Sequence, residues 1–113
     1  MYAYELLVEA QNAVFKALAD PSRRAIFERL TERELGVKEL TADFDISQPA
    51  VSQHLATLSQ AALVVARKQG RRTFYRASGE GLQPLVDWMA RYRVFWTERI
   101  AALDDVLKEI DDE

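Results

Sequence analysis

The sequence predicts a mainly α-helical domain that carries one small β-hairpin. Three observations predict it. Apolar residues recur at three- and four-residue spacing from Tyr4 to Leu58 and again from Leu85 to Ile110. Between those stretches, "LVVARKQGRRTFYRA" sets β-branched and aromatic residues on both sides of a glycine. Helix-starting residues, Asp20 before Pro21 and Ser47 before Pro49, punctuate the first stretch. With 113 residues and no repeat, low-complexity tract or linker, residues 1–113 read as a single domain.

The elements follow in order. Tyr4, Leu7, Val8, Val14, Phe15 and Leu18 keep helical spacing and give a first helix ending near Ala19. "DPSRRAIFERL" starts a second: Asp20 can cap it, Pro21 suits the first helical position, and Ile26 and Leu30 form its inward stripe. A short helix covers Val37 to Phe44, with Leu40 and Phe44 expected in the core. "DFDIS" then makes a tight turn, Ser47 caps the next helix, and Pro49 is tolerated in its first turn. Short helices so closely joined form a helix-turn-helix over about residues 37–59.

In that last helix, "SQPAVSQHLATL", Val51, Leu55 and Leu58 point inward, while Gln48, Ser52, Gln53 and Thr57 face elsewhere. None of those outward residues is charged. A solvated surface helix normally carries Lys and Glu, so the face is suited to hydrogen bonding rather than to water alone.

A hairpin follows over about residues 63–77, with Gly70 supplying the positive φ of its turn and Lys68, Arg71 and Arg72 crowding the tip. After "SGEG" one long helix is expected from about residue 82 to 110. Its Leu85, Met89, Tyr92, Trp96, Ile100, Leu103, Leu107 and Ile110 alternate in steps of four and three, a near-heptad seam that Trp88 and Phe95 widen. Aromatics at this spacing usually form core or a dimer interface, although an apolar ligand can share such a surface. The acidic tail Asp111–Glu113 opposes the helix dipole and is expected to fray.

Composition narrows the function. Hydrophobic content of 49% and charged content of 29% are ordinary for a globular protein. A domain of this size buries about two thirds of its unfolded surface, so spare apolar surface points to a partner chain. There is no cysteine, which removes disulfides, thiolate metal sites, redox sensing and Cys nucleophiles. "MYAYELLVEA" lacks a basic leader region and "AALVVA" is far short of a membrane span, so a soluble, cytoplasmic protein with no membrane partner is expected. One histidine and no Gly-rich phosphate loop leave no convergent acid-base site, and neither enzyme activity nor a cofactor is expected.

The net charge of −3 conceals an uneven distribution. From Ile46 to Gly79 there are five basic residues and no acidic one, while the rest of the chain holds ten basic and eighteen acidic groups. The electropositive stretch therefore coincides with the uncharged helix and the hairpin. Base edges in the major groove offer donors and acceptors that Gln and Ser can pair with, and hairpin cations can meet phosphate with little sequence preference. Read this way, the architecture is a winged helix-turn-helix with long N- and C-terminal helices, its partner double-stranded DNA.

The blocks "VFKALADPSRRAIFERL", "ISQPAVSQHLATL" and "ALVVARKQGRRTFYRA", in this order over roughly Val14 to Ala77, resemble the ArsR family of small bacterial winged-helix repressors. "WMARYRVFWTERIAAL" is similar to a branch whose final helix carries paired tryptophans. The resemblance implies a homodimer that occupies an operator and represses transcription. It implies DNA contacts from Gln48, Ser52 and Gln53, joined by their neighbours Ser47, Pro49, His54 and Thr57, and from wing residues Lys68, Arg71 and Arg72. It also implies a dimer interface of Tyr4, Leu7 and Val8 with Leu85, Trp88, Met89, Tyr92, Phe95, Trp96, Ile100 and Leu103. His54 has a second reading, as a packing or backbone-bonding residue.

Two departures stand out. Gly36 and Lys38 occupy positions where metal-sensing members carry cysteines, and the last helix has no histidine. No metal site is therefore expected, and release would fall to a small organic effector, a protein partner or concentration alone. Ala62 stands where the family usually has glycine; in a left-handed conformation it would cost on the order of 1 kcal/mol. A winged-helix module that binds an acidic protein, without specific DNA binding, is the alternative function.

Overall fold

The computed structural model describes residues 2–111. Helices α1 (Tyr2–Ala19) and α2 (Pro21–Glu32) are joined at Asp20, whose carboxylate accepts the backbone N–H of Arg23. The junction is reinforced from the other side: Arg23 and Arg24 donate to the carbonyls of Ala17 and Leu18, each at 2.7 Å, satisfying the end of α1. Strand β1 (Leu35–Gly36) leads into α3 (Val37–Phe44), and the turn to α4 (Gln48–Gln60) passes through Asp45 at φ 51°. Ser47 caps α4 by accepting the N–H of Ala50. The helix-turn-helix and its caps thus fall where the turn and capping residues place them.

The core lies beneath α4. Val51, Leu55 and Leu58 are buried against Val14, Ile26, Leu30 and Leu40, with Leu63 closing the layer. Phe44 is only half-buried, against the expectation, because it sits at the last position of α3 beside the left-handed turn.

Strands β2 (Val64–Gln69) and β3 (Arg72–Ala77) form the wing around Gly70 at φ 63°. The sheet has three strands, in the order β1, β3, β2, because Leu35 pairs with Tyr75 and Gly36 with Phe74. A two-residue strand carries no alternation of its own, so its existence was not readable from the sequence.

The last segment corrects the sequence reading. In place of one helix over residues 82–110, a 3-10 turn (Gly79–Leu82) precedes α5 (Gln83–Ala90), and a break at Arg91 and Tyr92 precedes α6 (Arg93–Asp111). Tyr92 N–H bonds back to Met89 at 3.0 Å in a tightened turn, and the Trp96 indole donates to the same Met89 carbonyl at 2.8 Å. That indole replaces a helical N–H. No glycine or proline marks the break, since the cause is a side chain reaching back along its own chain. Of the tail expected to fray, Asp111 closes α6, and residues 112 and 113 lie outside the described residues.

Candidate nucleic-acid interface

Helix α4 buries one face and presents the other. Gln48, Pro49, Ser52 and Gln53 are exposed, together with Ala56, which the pattern of polar residues did not single out. Ala56 adds a methyl group to an otherwise hydrogen-bonding surface, the kind of contact that a thymine methyl accepts. Ser47 is exposed with its hydroxyl engaged in the cap. Thr57 is half-buried and donates to the Gln53 carbonyl at 3.2 Å, which leaves its oxygen free to accept.

His54 is half-buried on the flank of α4, its Nδ1 enclosed without a hydrogen-bond partner. Asp20 lies beside it. That carboxylate is held below its usual range first by the Arg23 backbone N–H and, more weakly, by His54 and the Arg23 side chain. The imidazole therefore sits at the seam between α4 and the start of α2.

The wing's cations divide into two groups. Arg67 forms a bidentate pair with Glu34, and Arg72 pairs with Glu39. Each carboxylate is held below its usual range by its arginine. Among the described residues, Lys68, Arg71 and Arg76 have no ion-pair partner. The electropositive stretch of sequence is thus partly neutralised in space by Glu34 and Glu39, both 33 residues away from their partners along the chain. No local signal could have found these pairings. Lys38, Arg71 and Arg72, with Val37, Thr73 and Tyr75, line an open hollow between the wing and the start of α3.

Gly36 and Lys38, which the sequence reading set in place of metal-binding cysteines, do not fit a thiophilic ion. Gly36 offers no donor, and a Cβ built on it would meet Glu39 Oε2 at 2.7 Å and Arg72 Nη2 at 3.0 Å. Lys38 brings a positive charge. Among the described residues no group of three or more His, Cys, Asp or Glu could hold a metal ion, and no helix is long and apolar enough to cross a membrane.

Away from α4 lies an apolar surface. Phe15 on α1 meets Trp88 on α5 edge to face at 5.3 Å, and Trp88 meets Tyr92 at 5.1 Å. Trp88, Met89, Tyr92, Phe95 and Trp96 line a hollow of about 360 Å³ at the α5–α6 break. Tyr4, Trp88, Met89, Tyr92, Phe95, Ile100 and Leu103 are exposed, while Leu7, Val8, Leu85 and Trp96 are half-buried. No described residue of α6 is buried, although Phe95 is 68% exposed and Leu103 58%. So much bare apolar surface is costly unless another chain covers it.

A helix-turn-helix with an uncharged outer face, followed by a cationic β-hairpin, defines the winged-helix class of DNA-binding domains. Comparison with known proteins agrees. The family described as bacterial regulatory protein, arsR family, matches residues 20–65 of the chain. The chain is 40% identical over 102 residues to the HTH-type transcriptional regulator Rv2034 of Mycobacterium tuberculosis, covering 90% of this chain and 92% of that one. It is 33% identical over 81 residues to the transcriptional repressor SdpR of Bacillus subtilis, covering 72% of this chain and 90% of SdpR. Among solved structures, an ArsR-like transcriptional regulator from Rhodococcus sp. RHA1 matches with a TM-score of 0.70 at 29% identity, over 88% of this chain and 93% of that one. The homodimeric winged helix-turn-helix DNA-binding domain of Mb0332 from Mycobacterium bovis matches with a TM-score of 0.66 at 29% identity, over 80% and 87%. The chain belongs to the ArsR family, as a transcriptional regulator with a winged helix-turn-helix DNA-binding domain.

Proposed function

We propose that this protein is a homodimeric repressor, acting in the cytoplasm without metal or thiol chemistry. The exposed face of α4 reads an operator in the major groove, and the wing grips the flanking backbone. The observation that carries this reading is the juxtaposition of two surfaces. Gln48, Ser52 and Gln53 form an uncharged, hydrogen-bonding strip, and the unpaired cations Lys68 and Arg71 stand on the adjoining hairpin. Ser47, Pro49, His54 and Thr57 complete the reading edge. Arg72 belongs to the wing's cationic set and is paired with Glu39.

The bare surface of α5 and α6, with Tyr4, Leu7 and Val8 of α1, is covered by a second copy. The homodimeric relative from Mycobacterium bovis supports that reading. Two-fold symmetry would set the two α4 helices in successive major grooves, about 34–36 Å apart. Repression follows the relatives named as repressors, such as SdpR. A small organic effector, if one acts, has the apolar hollow of Trp88, Met89, Tyr92, Phe95 and Trp96 as its seat.

The test is fluorescence anisotropy against DNA from upstream of the protein's own coding region, with random competitor, at 50 and 200 mM salt. A dimer that makes roughly six to eight phosphate contacts loses about a thousandfold or more in affinity over that range. Binding that resists competitor establishes sequence-specific recognition. Failure to prefer any duplex, including those selected from a random pool, would move the protein to the protein-binding alternative.

A further inference from the structure

Glu34 and Glu39 bracket β1, and both carboxylates reach the outer face of the wing. Arg67 lies directly opposite Phe74 across the β2–β3 ladder, and Arg72 precedes Phe74 by two residues on the same strand. All three side chains therefore share one face. The guanidinium carbons stand 5.2 Å (Arg67) and 4.6 Å (Arg72) from the centre of the Phe74 ring. Glu34 holds Arg67 at 2.5 Å, and Glu39 holds Arg72. Gly36 pairs with Phe74 along the backbone and leaves the room that Glu39 and Arg72 occupy. The result is a continuous row: Glu34, Arg67, Phe74, Arg72, Glu39.

We propose that this row is a clamp that sets the angle of the wing on the helix-turn-helix. Arg67 and Arg72 are then positioning residues, and Lys68 and Arg71 meet the phosphates. The inference deepens the DNA-binding reading and rests on it. The base of the hairpin is fixed in the core, with β2 packed on α4, β3 packed on α2 and Val64 buried, and two residue pairs join β3 to β1 farther toward the tip. The two carboxylates add a tie on either side of β1, nearer the tip than the packed base. Glu39 lies on α3, which packs against α4, so a tilt of the wing's outer part relative to the reading helix strains the Glu39–Arg72 pair. A guanidinium already matched with a carboxylate also brings little net charge to DNA, because release of counterions follows net neutralised phosphate. In this chain the family's metal position is thus filled by a fixed contact between α3 and the wing.

The test uses Glu39→Gln, Arg72→Gln and the double variant in the full chain, with two measurements. Hydrogen exchange without DNA, at the amides of Leu35, Gly36, Phe74 and Tyr75, should speed up about two- to fivefold in either single variant, the range open to an exposed ion pair. The double variant should add nothing further. Affinity for a duplex that the protein has selected from a random pool should fall by a similar factor in each variant, with the salt slope unchanged. Unchanged exchange in all three variants would overturn the clamp whatever happens on DNA. So would the opposite pattern on DNA: tighter binding by Glu39→Gln, with a slope flattened by about two per dimer in Arg72→Gln, would make Arg72 a phosphate contact that Glu39 masks. If the wild-type chain selects no duplex, the proposed function fails, and the exchange rates alone still decide the clamp.

Discussion

Gly81 packs against the carbonyl of Ala62 so closely that a Cβ at position 81 would stand 2.0 Å from that oxygen. Ala62 itself lies at φ 59°, the left-handed conformation in which the family's usual glycine would be unstrained. Both residues lie where the chain leaves α4 for the wing and where it returns to α5. Gly81→Ala should therefore destabilise by about 1–3 kcal/mol, since backbone must move to admit the methyl group. Ala62→Gly should stabilise by about 0.5 kcal/mol, as relief of roughly 1–2 kcal/mol is partly offset by a more flexible unfolded chain. Urea midpoints at constant m-value measure both, and a neutral Gly81→Ala would mean that this contact is looser than described.

Ser52→Ala and Gln53→Ala should each weaken binding to the selected sequence by about 1–3 kcal/mol and leave binding to random duplex nearly intact. Both side chains are exposed on α4, so the fold should not respond. Competition anisotropy compares the two duplexes. Equal losses on both would take these residues off the base edges.

Arg71→Ala should weaken specific and random binding together and flatten the salt slope by about two per dimer, one contact from each wing. Arg71 has no carboxylate to release among the described residues, so its charge is fully available to phosphate. A slope equal to that of the wild type would place the wing tip away from the backbone.

In the proposed dimer, Leu103→Glu should shift the chain to monomer without altering the helical signal in circular dichroism. Leu103 is 58% exposed on α6, so the monomer does not depend on its side chain, whereas a dimer seam would bury the new charge. Sedimentation velocity reads the outcome. A variant that remains dimeric would move the interface off this stripe and toward α1.

Stability should hold from neutral pH down to about pH 5 and fall as the carboxylates titrate below it. The folded state holds three of them below their usual range: Asp20 through the Arg23 N–H, Glu34 through Arg67, and Glu39 through Arg72. A depressed folded-state value means that the unfolded chain takes up protons first. The stabilisation is therefore complete above the unfolded range and disappears as pH falls through the folded one. Asp20→Asn keeps a capping oxygen but removes one such proton, so its acid limb should be shallower. An acid limb as steep as that of the wild type would remove Asp20 from the set.

The reach of the sequence was greatest where a residue's role is settled by near neighbours. Asp20 and Ser47 cap the helices they precede, Gly70 turns the hairpin, and Val51, Leu55 and Leu58 bury one face of α4. Helical spacing also placed Trp88 and Phe95 beside the aromatic seam. It failed at Arg91 and Tyr92, because an unbroken apolar spacing is equally compatible with a straight helix and with two helices that share a seam. The indole of Trp96, bonded to the Met89 carbonyl, decides between them.

What the sequence determined by itself, then, was most of the local elements, the uncharged outer face of α4 and the resemblance to the family. Capping, turn geometry and amphipathic spacing act within a few residues and leave a direct trace in the order of side chains. What only the tertiary structure decided was which wing cations remain unpaired, how β1 joins the sheet, and where the last helix breaks. Glu34 and Glu39 meet Arg67 and Arg72 because folding closes loops across 33 residues, and Coulomb attraction depends on distance in space rather than on distance along the chain.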